Sequence, residues 1–302
     1  MSFSSFKKDK LIVENFRKFL NEQEDSKIQK VANVLANPAT PLAQYVAILK
    51  KYASDPAFRA LAGSGQTDGD PDDEQVKVTR TSTAAKNLTA TQAEIGFGNS
   101  LADQATNKYK ATEAALGLAG TPVIMPSADD PPPAILIYNG KYVLDGHHRW
   151  SQIMMTNPDG DVAVDNVTGP ALDNEEEALK AMQLAIAAAA GNVVTKPFKG
   201  ENLMKASPEQ VAQYVLKNVT DEVLQLLLKA GKIEKPDKNL AARYFAGNLN
   251  TIKKRAGKFS REKSMPQAGK SGVSQGAVNK VLGTGKINFQ APQASDVKKA
   301  RE

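Results

Sequence analysis

The chain has no cysteine, two histidines, one tryptophan and an aromatic share of 6% in 302 residues. Without Cys there is no disulfide, no thiolate metal site and no cysteine nucleophile. Long apolar runs are also missing. The longest candidate, 185–190, is an Ala-rich helical run, far short of the roughly 18 residues that a bilayer span needs. Residues 1–22 are charged throughout and lack the apolar centre of a signal peptide. These absences predict a protein that does not cross a membrane and is not secreted through a signal peptide.

What is present suffices for a core. An apolar share of 41% over 302 residues supports one or two domains with considerable loop around them. The net charge of +6 hides an asymmetry: residues 232–302 hold sixteen Lys or Arg against five Asp or Glu, which leaves the rest acidic by five. A basic C-terminal third on an acidic body suits electrostatic binding to nucleic acid, or is simply a solvated basic tail.

Periodicity divides the chain. Residues 1–62 predict helices, one with Leu11, Ile12, Phe16, Phe19 and Leu20 on one stripe, then Lys27–Leu35 and Pro41–Tyr52, the last with Thr40 as cap. Residues 63–75, GSGQTDGDPDDEQ, read as an acidic linker. From 76 to about 200, β-like runs at Val76–Thr83, Thr121–Met125, Ala134–Tyr138, Lys141–Leu144 and Val162–Val167 mix with helical ones at Asn99–Leu116 and Asn174–Ala190. Asn139-Gly140 is the strongest hairpin signal. Residues 201–264 predict a helical extension that opens on the capping box Ser207-Pro208-Glu209-Gln210. Residues 265–302 read mostly as a basic, flexible tail. The fold class expected is α+β.

Both histidines stand in one stretch, Val143-Leu144-Asp145-Gly146-His147-His148-Arg149-Trp150. A strand that ends in Asp-Gly before a helical pattern predicts a tight corner, with Gly146 supplying positive φ. The N–H groups of His147, His148 and Arg149 then lie at a helix N-terminus, where the dipole favours an anion. Arg149 adds a planar cation suited to phosphate, and the imidazoles add hydrogen-bonding and acid–base capacity. Asp145 could hold Mg²⁺ or act as a base, or cap the helix. Trp150 reads as core.

The hairpin followed by DGHHR resembles the ParB/sulfiredoxin superfamily, in particular the branch of ParB-like free-serine kinases and phage ParB-like proteins. Leu88–Ile95, LTATQAEI, is similar to the segment that opens this domain, with Ala90 where Pro is usual. Arg261–Gln267, REKSMPQ, resembles a closing motif of phage relatives. The resemblance covers about 76–267. It implies a compact mixed-sheet domain with helical extensions on both sides and a nucleotide (ATP, ADP or CTP, with Mg²⁺) at the corner. Gly146, His147, His148, Arg149, Thr91 and Gln92 would bind its phosphates. In catalytic members of the branch an acid after the opening segment activates an acceptor hydroxyl; Glu94 matches it, with Asp145 and His147 assisting phosphoryl transfer.

The chain departs from two other branches. Sulfiredoxins carry a catalytic Cys at the corner, and partition proteins carry an Arg-rich box there; this chain has His-His-Arg. A DNA-associated or virion-internal protein with a vestigial corner, and a ParB-like nuclease, are the alternative readings. FRKFLNEQ (Phe16–Gln23) resembles the capsid-targeting leaders of contractile-tailed phages, cut after a Leu/Ile-x-Glu triplet. Leu20-Asn21-Glu22 fits that pattern, as does Ile12-Val13-Glu14, and would place processing at Glu22, with prohead components as partners and the virion interior or host cytoplasm as location.

Overall fold

The computed structural model describes residues 27–64, 76–126, 132–169, 172, 174–284 and 287. Glu22 and the leader-like segment lie outside them, as does most of the acidic linker. The fold is α+β: one five-stranded mixed sheet with helices on both faces. No helix among the described residues is long and apolar enough to cross a membrane.

The sheet comprises β1 (Lys77–Ala84), β2 (Thr89–Ala90), β3 (Ile135–Tyr138), β4 (Tyr142–Asp145) and β5 (Asp161–Thr168), in the order β1-β5-β3-β4-β2. β1 and β5 pair antiparallel, as do β3 and β4, whereas β3–β5 and β2–β4 are parallel. Every residue of β3 is buried because both faces are covered. Ile135 and Ile137 join one core cluster; Leu136 and Tyr138 join the other. Asn139 and Gly140 both take positive φ and close the β3–β4 hairpin as expected.

One face carries α4 (Phe97–Thr106), α5 (Ala111–Ala115), α6 (His147–Thr156), α8 (Pro208–Asn218), α9 (Asp221–Lys229) and α10 (Lys238–Lys253). Trp150 is fully buried there, and its Nε1 donates to the Ala85 carbonyl at 3.1 Å. The Ser207/Gln210 capping box opens α8 as the sequence indicates. The other face carries α1 (residues 27–36), α2 (Leu42–Tyr52), α3 (Pro56–Ser64) and α7 (Glu175–Ala190). Lys180 of α7 is buried; its Nζ donates to the Pro38 carbonyl at 3.0 Å and to Glu177 Oε1 at 3.1 Å.

Four local expectations are corrected. Thr40 does not cap α2, since its hydroxyl donates to the Val34 carbonyl; Glu176 of α7 instead accepts the Leu42 N–H at 2.9 Å. The single helix expected over Asn99–Leu116 is broken, because Asn107, Tyr109 and Lys110 adopt left-handed backbone. Asn107 Oδ1 accepts the N–H groups of Thr112 and Glu113 and so starts α5. Thr121–Met125 contributes only one isolated bridge, Val123 to Val162, rather than a strand. Finally, residues beyond Met265 do not begin a tail. Short α11 (Arg261–Ser264) and α12 (Ala268–Ser271) lead into α13 (Gln275–Leu282), which buries Val278 and Leu282 in the α7-side core.

Candidate phosphate-binding cleft

Strand β4 runs straight into α6 through Gly146, whose φ of 88° lies in the left-handed region. A side chain there would be strained, and its Cβ would meet Arg149 Nη2 at 2.8 Å. The register between β3 and β4 slips at Leu136/Ile137, so Asp145 pairs with Leu136 at the strand end. Asp145 Oδ1 accepts the Gly146 N–H at 2.8 Å. Gly146, the N-cap of α6, has no side chain with which to cap the helix. The first turn of a helix carries N–H groups without intrahelical partners.

In front is a cleft of about 360 Å³. One wall is the corner itself, Leu144 to Arg149, with Gln92 beside it. The opposite wall comes from the C-terminal segment: Arg261, Met265 to Gly269, and Val273 to Gln275. Asp145 is the only carboxylate among the described lining residues. The cleft size falls in the range of small-ligand sites.

The two imidazoles diverge, as neighbours on a helix must. His147 is buried, and its Nε2 accepts the N–H groups of Thr91 and Gln92 at 3.2 Å each. The Thr91 hydroxyl lies 3.1 Å from the same nitrogen and donates to the Val143 carbonyl at 2.6 Å. Two backbone donors on Nε2 place the ring proton on Nδ1. Burial, then His148 and Arg261, push the His147 pKa down to about 3. Its Nε2 is therefore committed to holding the Thr91–Gln92 turn against β4, and the expected proton-transfer role has no free nitrogen there. His148 lines the cleft, with Nε2 accepting from the Gly96 N–H at 3.4 Å. Burial, then Arg261 and Arg149, lower its pKa to about 4.

Arg149 Nη2 donates to Gln275 Oε1 and more weakly, at 3.5 Å, to the Ala134 carbonyl. Gln275 Nε2 donates to that same carbonyl at 2.7 Å. Gln275 thus ties α13 to the corner.

Of the residues expected from sequence, Gln92, Asp145, Gly146, His147, His148 and Arg149 line one cleft. Thr91 and Glu94 are not among its lining residues. Thr91 is fully buried with its hydroxyl committed to Val143. Glu94 Oε2 accepts the Arg261 N–H at 2.9 Å, so its carboxylate fixes the start of α11 rather than a substrate hydroxyl. Arg261 and Gln267 belong to the REKSMPQ stretch, whose resemblance to a closing motif does not mark them as a site. Nothing in the sequence marked Gln275.

Segment 255–259 holds the LTATQ turn through backbone hydrogen bonds. Ala90 N–H donates to the Arg255 carbonyl, Phe259 N–H to the Thr91 carbonyl and Ala93 N–H to the Phe259 carbonyl, each within 2.9–3.0 Å. The LTATQ turn is thereby gripped between His147 and a chain more than 160 residues away.

No family model matches the chain, and comparison with curated proteins and with solved structures returns no match.

Proposed function

We propose that this protein binds a nucleotide through its phosphates at the α6 corner, as its resemblance to the ParB/sulfiredoxin superfamily implies. One observation carries the reading. The N-terminus of α6, whose N-cap is a glycine, borders a cleft that Arg149 and Arg261 line and in which Asp145 is the sole described carboxylate. Helix N–H groups, the helix dipole and guanidinium groups all favour a phosphate there. Both imidazoles are neutral at pH 7, so they accept or donate hydrogen bonds without adding charge.

Titration of the protein with ATP, ADP and CTP tests this. The bound nucleotide should raise stability by about 2.7 kcal/mol at a hundred times its Kd. Arg149→Gln should weaken that binding while the protein stays folded. Calorimetry that detects no heat with any of the three nucleotides would overturn the proposal.

Among the described residues no three His, Asp or Glu side chains cluster to hold a metal. Asp145 fits the usual mode of Mg²⁺, which takes one or two carboxylates together with the ligand's phosphates. If phosphoryl transfer or metal-dependent cleavage of nucleic acid occurs here, it draws on Asp145. Asp145→Asn should then reduce any such turnover by about a hundredfold or more, the scale of a lost acid–base group. Glu94→Gln should leave the chemistry nearly unchanged, because Glu94 faces the Arg261 backbone. A larger loss in Glu94→Gln than in Asp145→Asn would reverse this assignment.

A further inference from the structure

The geometry points to Arg261 as a second phosphate-binding guanidinium, oriented by the Gln267 amide, and to a ligand with at least two linked phosphoryl groups. The inference rests on the cleft being a phosphate seat and adds what that seat selects.

Several cations of this molecule are held by carboxylates. Arg80 pairs with Asp165, Lys86 with Asp159, Lys258 with Glu175 and Lys180 with Glu177. In each, a carboxylate offsets the charge. Arg261 differs. With its amide oxygen facing the guanidinium, Gln267 accepts from both Nε and Nη2 of Arg261 at 3.1 Å each. Among the described residues no carboxylate lies within ion-pair distance of that guanidinium. Glu94 touches only the main-chain N–H of the same residue. An amide oxygen fixes the direction of a guanidinium and leaves its full positive charge in place. Holding an arginine this way in a cleft is costly for the empty protein and favourable for an anion.

Position supplies the second half. Arg261, Arg149 and His148 all line the same cleft. Arg149 and the α6 N–H groups hold one phosphoryl group. Arg261 stands on the opposite wall and is left for a second. Met182, Met265 and Pro266 give the cleft an apolar side for the uncharged part of the ligand. Gln267 is a positioning residue in this scheme, since it acts through Arg261.

Calorimetry on the full chain in Mg²⁺-free buffer, with inorganic pyrophosphate, ADP and AMP as probes, tests the inference. The wild type should bind pyrophosphate and ADP at least about tenfold more tightly than AMP, the scale of one charged hydrogen-bonding partner. Arg261→Gln should erase that difference. Gln267→Glu should erase it as well, while the unfolding midpoint stays level or rises, because the new carboxylate pairs with Arg261. A merely structural Gln267 would give the opposite, with selectivity retained as stability rises.

Selectivity that survives in either variant overturns the role of Arg261 and leaves the phosphate seat standing. Equal wild-type affinity for ADP and AMP overturns the diphosphate preference and, with it, this inference. A wild type that binds none of the three probes overturns the phosphate seat itself.

Discussion

Replacing Gly257 by Ala should destabilise the protein by about 3 kcal/mol or more, the upper range for forcing an atom into a packed interior. The reason is backbone, not conformation. A Cβ at Gly257 would lie 2.3 Å from the Thr91 carbonyl carbon and 2.4 Å from the oxygens of Thr91 and Gln92. No side-chain rotation relieves such a clash, because the opposing atoms are main chain on a turn that His147 holds from its other side. The segment must lift off the turn, and the hydrogen bonds of Ala90, Ala93 and Phe259 go with it. Gly247→Ala is the control, since nothing lies within 4 Å of its Cβ inside α10. That change should be neutral or stabilising by about 0.5–1 kcal/mol. Urea denaturation of the two variants separates the cases, and a wild-type curve for Gly257→Ala would contradict the close approach.

The second large effect is one of pH. Folding lowers the His147 pKa to about 3 and the His148 pKa to about 4, both first through burial, against 6.5 for an ordinary histidine. Between those values and 6.5 the unfolded chain binds protons that the folded chain refuses. Stability is therefore fully present above pH 6.5 and declines as the pH falls through the window towards 4 and then 3. Near pH 5 the two sites together give a slope of about 2.5 kcal/mol per pH unit. The chain has no other histidine, so the slope between pH 6.5 and 5 belongs to this pair. Denaturant melts across that range should show it. The double variant His147→Gln/His148→Gln should flatten it, whatever its absolute stability, and a slope that persists would assign the effect elsewhere.

Local signals in the sequence were those that the fold left uncontested. The Asn139-Gly140 hairpin, the Ser207–Gln210 capping box and the Asp145-Gly146 corner each depend on residues a few positions apart, and each stands where its chemistry predicts. The break at Asn107 was illegible because a non-glycine left-handed run has no strong composition; its cause is the Asn107 side chain reaching ahead to Thr112 and Glu113. α13 was missed for a related reason. Val278 and Leu282 are too few to form a convincing stripe, yet they suffice once α7 supplies the other half of the contact. The cleft shows the same division. Its β4–α6 wall was readable from one motif, whereas the opposite wall depends on Arg261, Gln267 and Gln275, whose meaning appears only when they face that motif. Glu94 shows the reverse, a residue in the expected place in the sequence whose carboxylate is used by a backbone N–H.

The Gln275–Arg149 contact joins residues that lie 126 positions apart along the chain. During synthesis the β4–α6 corner emerges long before α11 to α13, and domains fold largely in that order. Until the last segment arrives, the α6 N-terminus faces water and Arg261 does not yet exist near it. The cleft is thus complete only after α13 has been made.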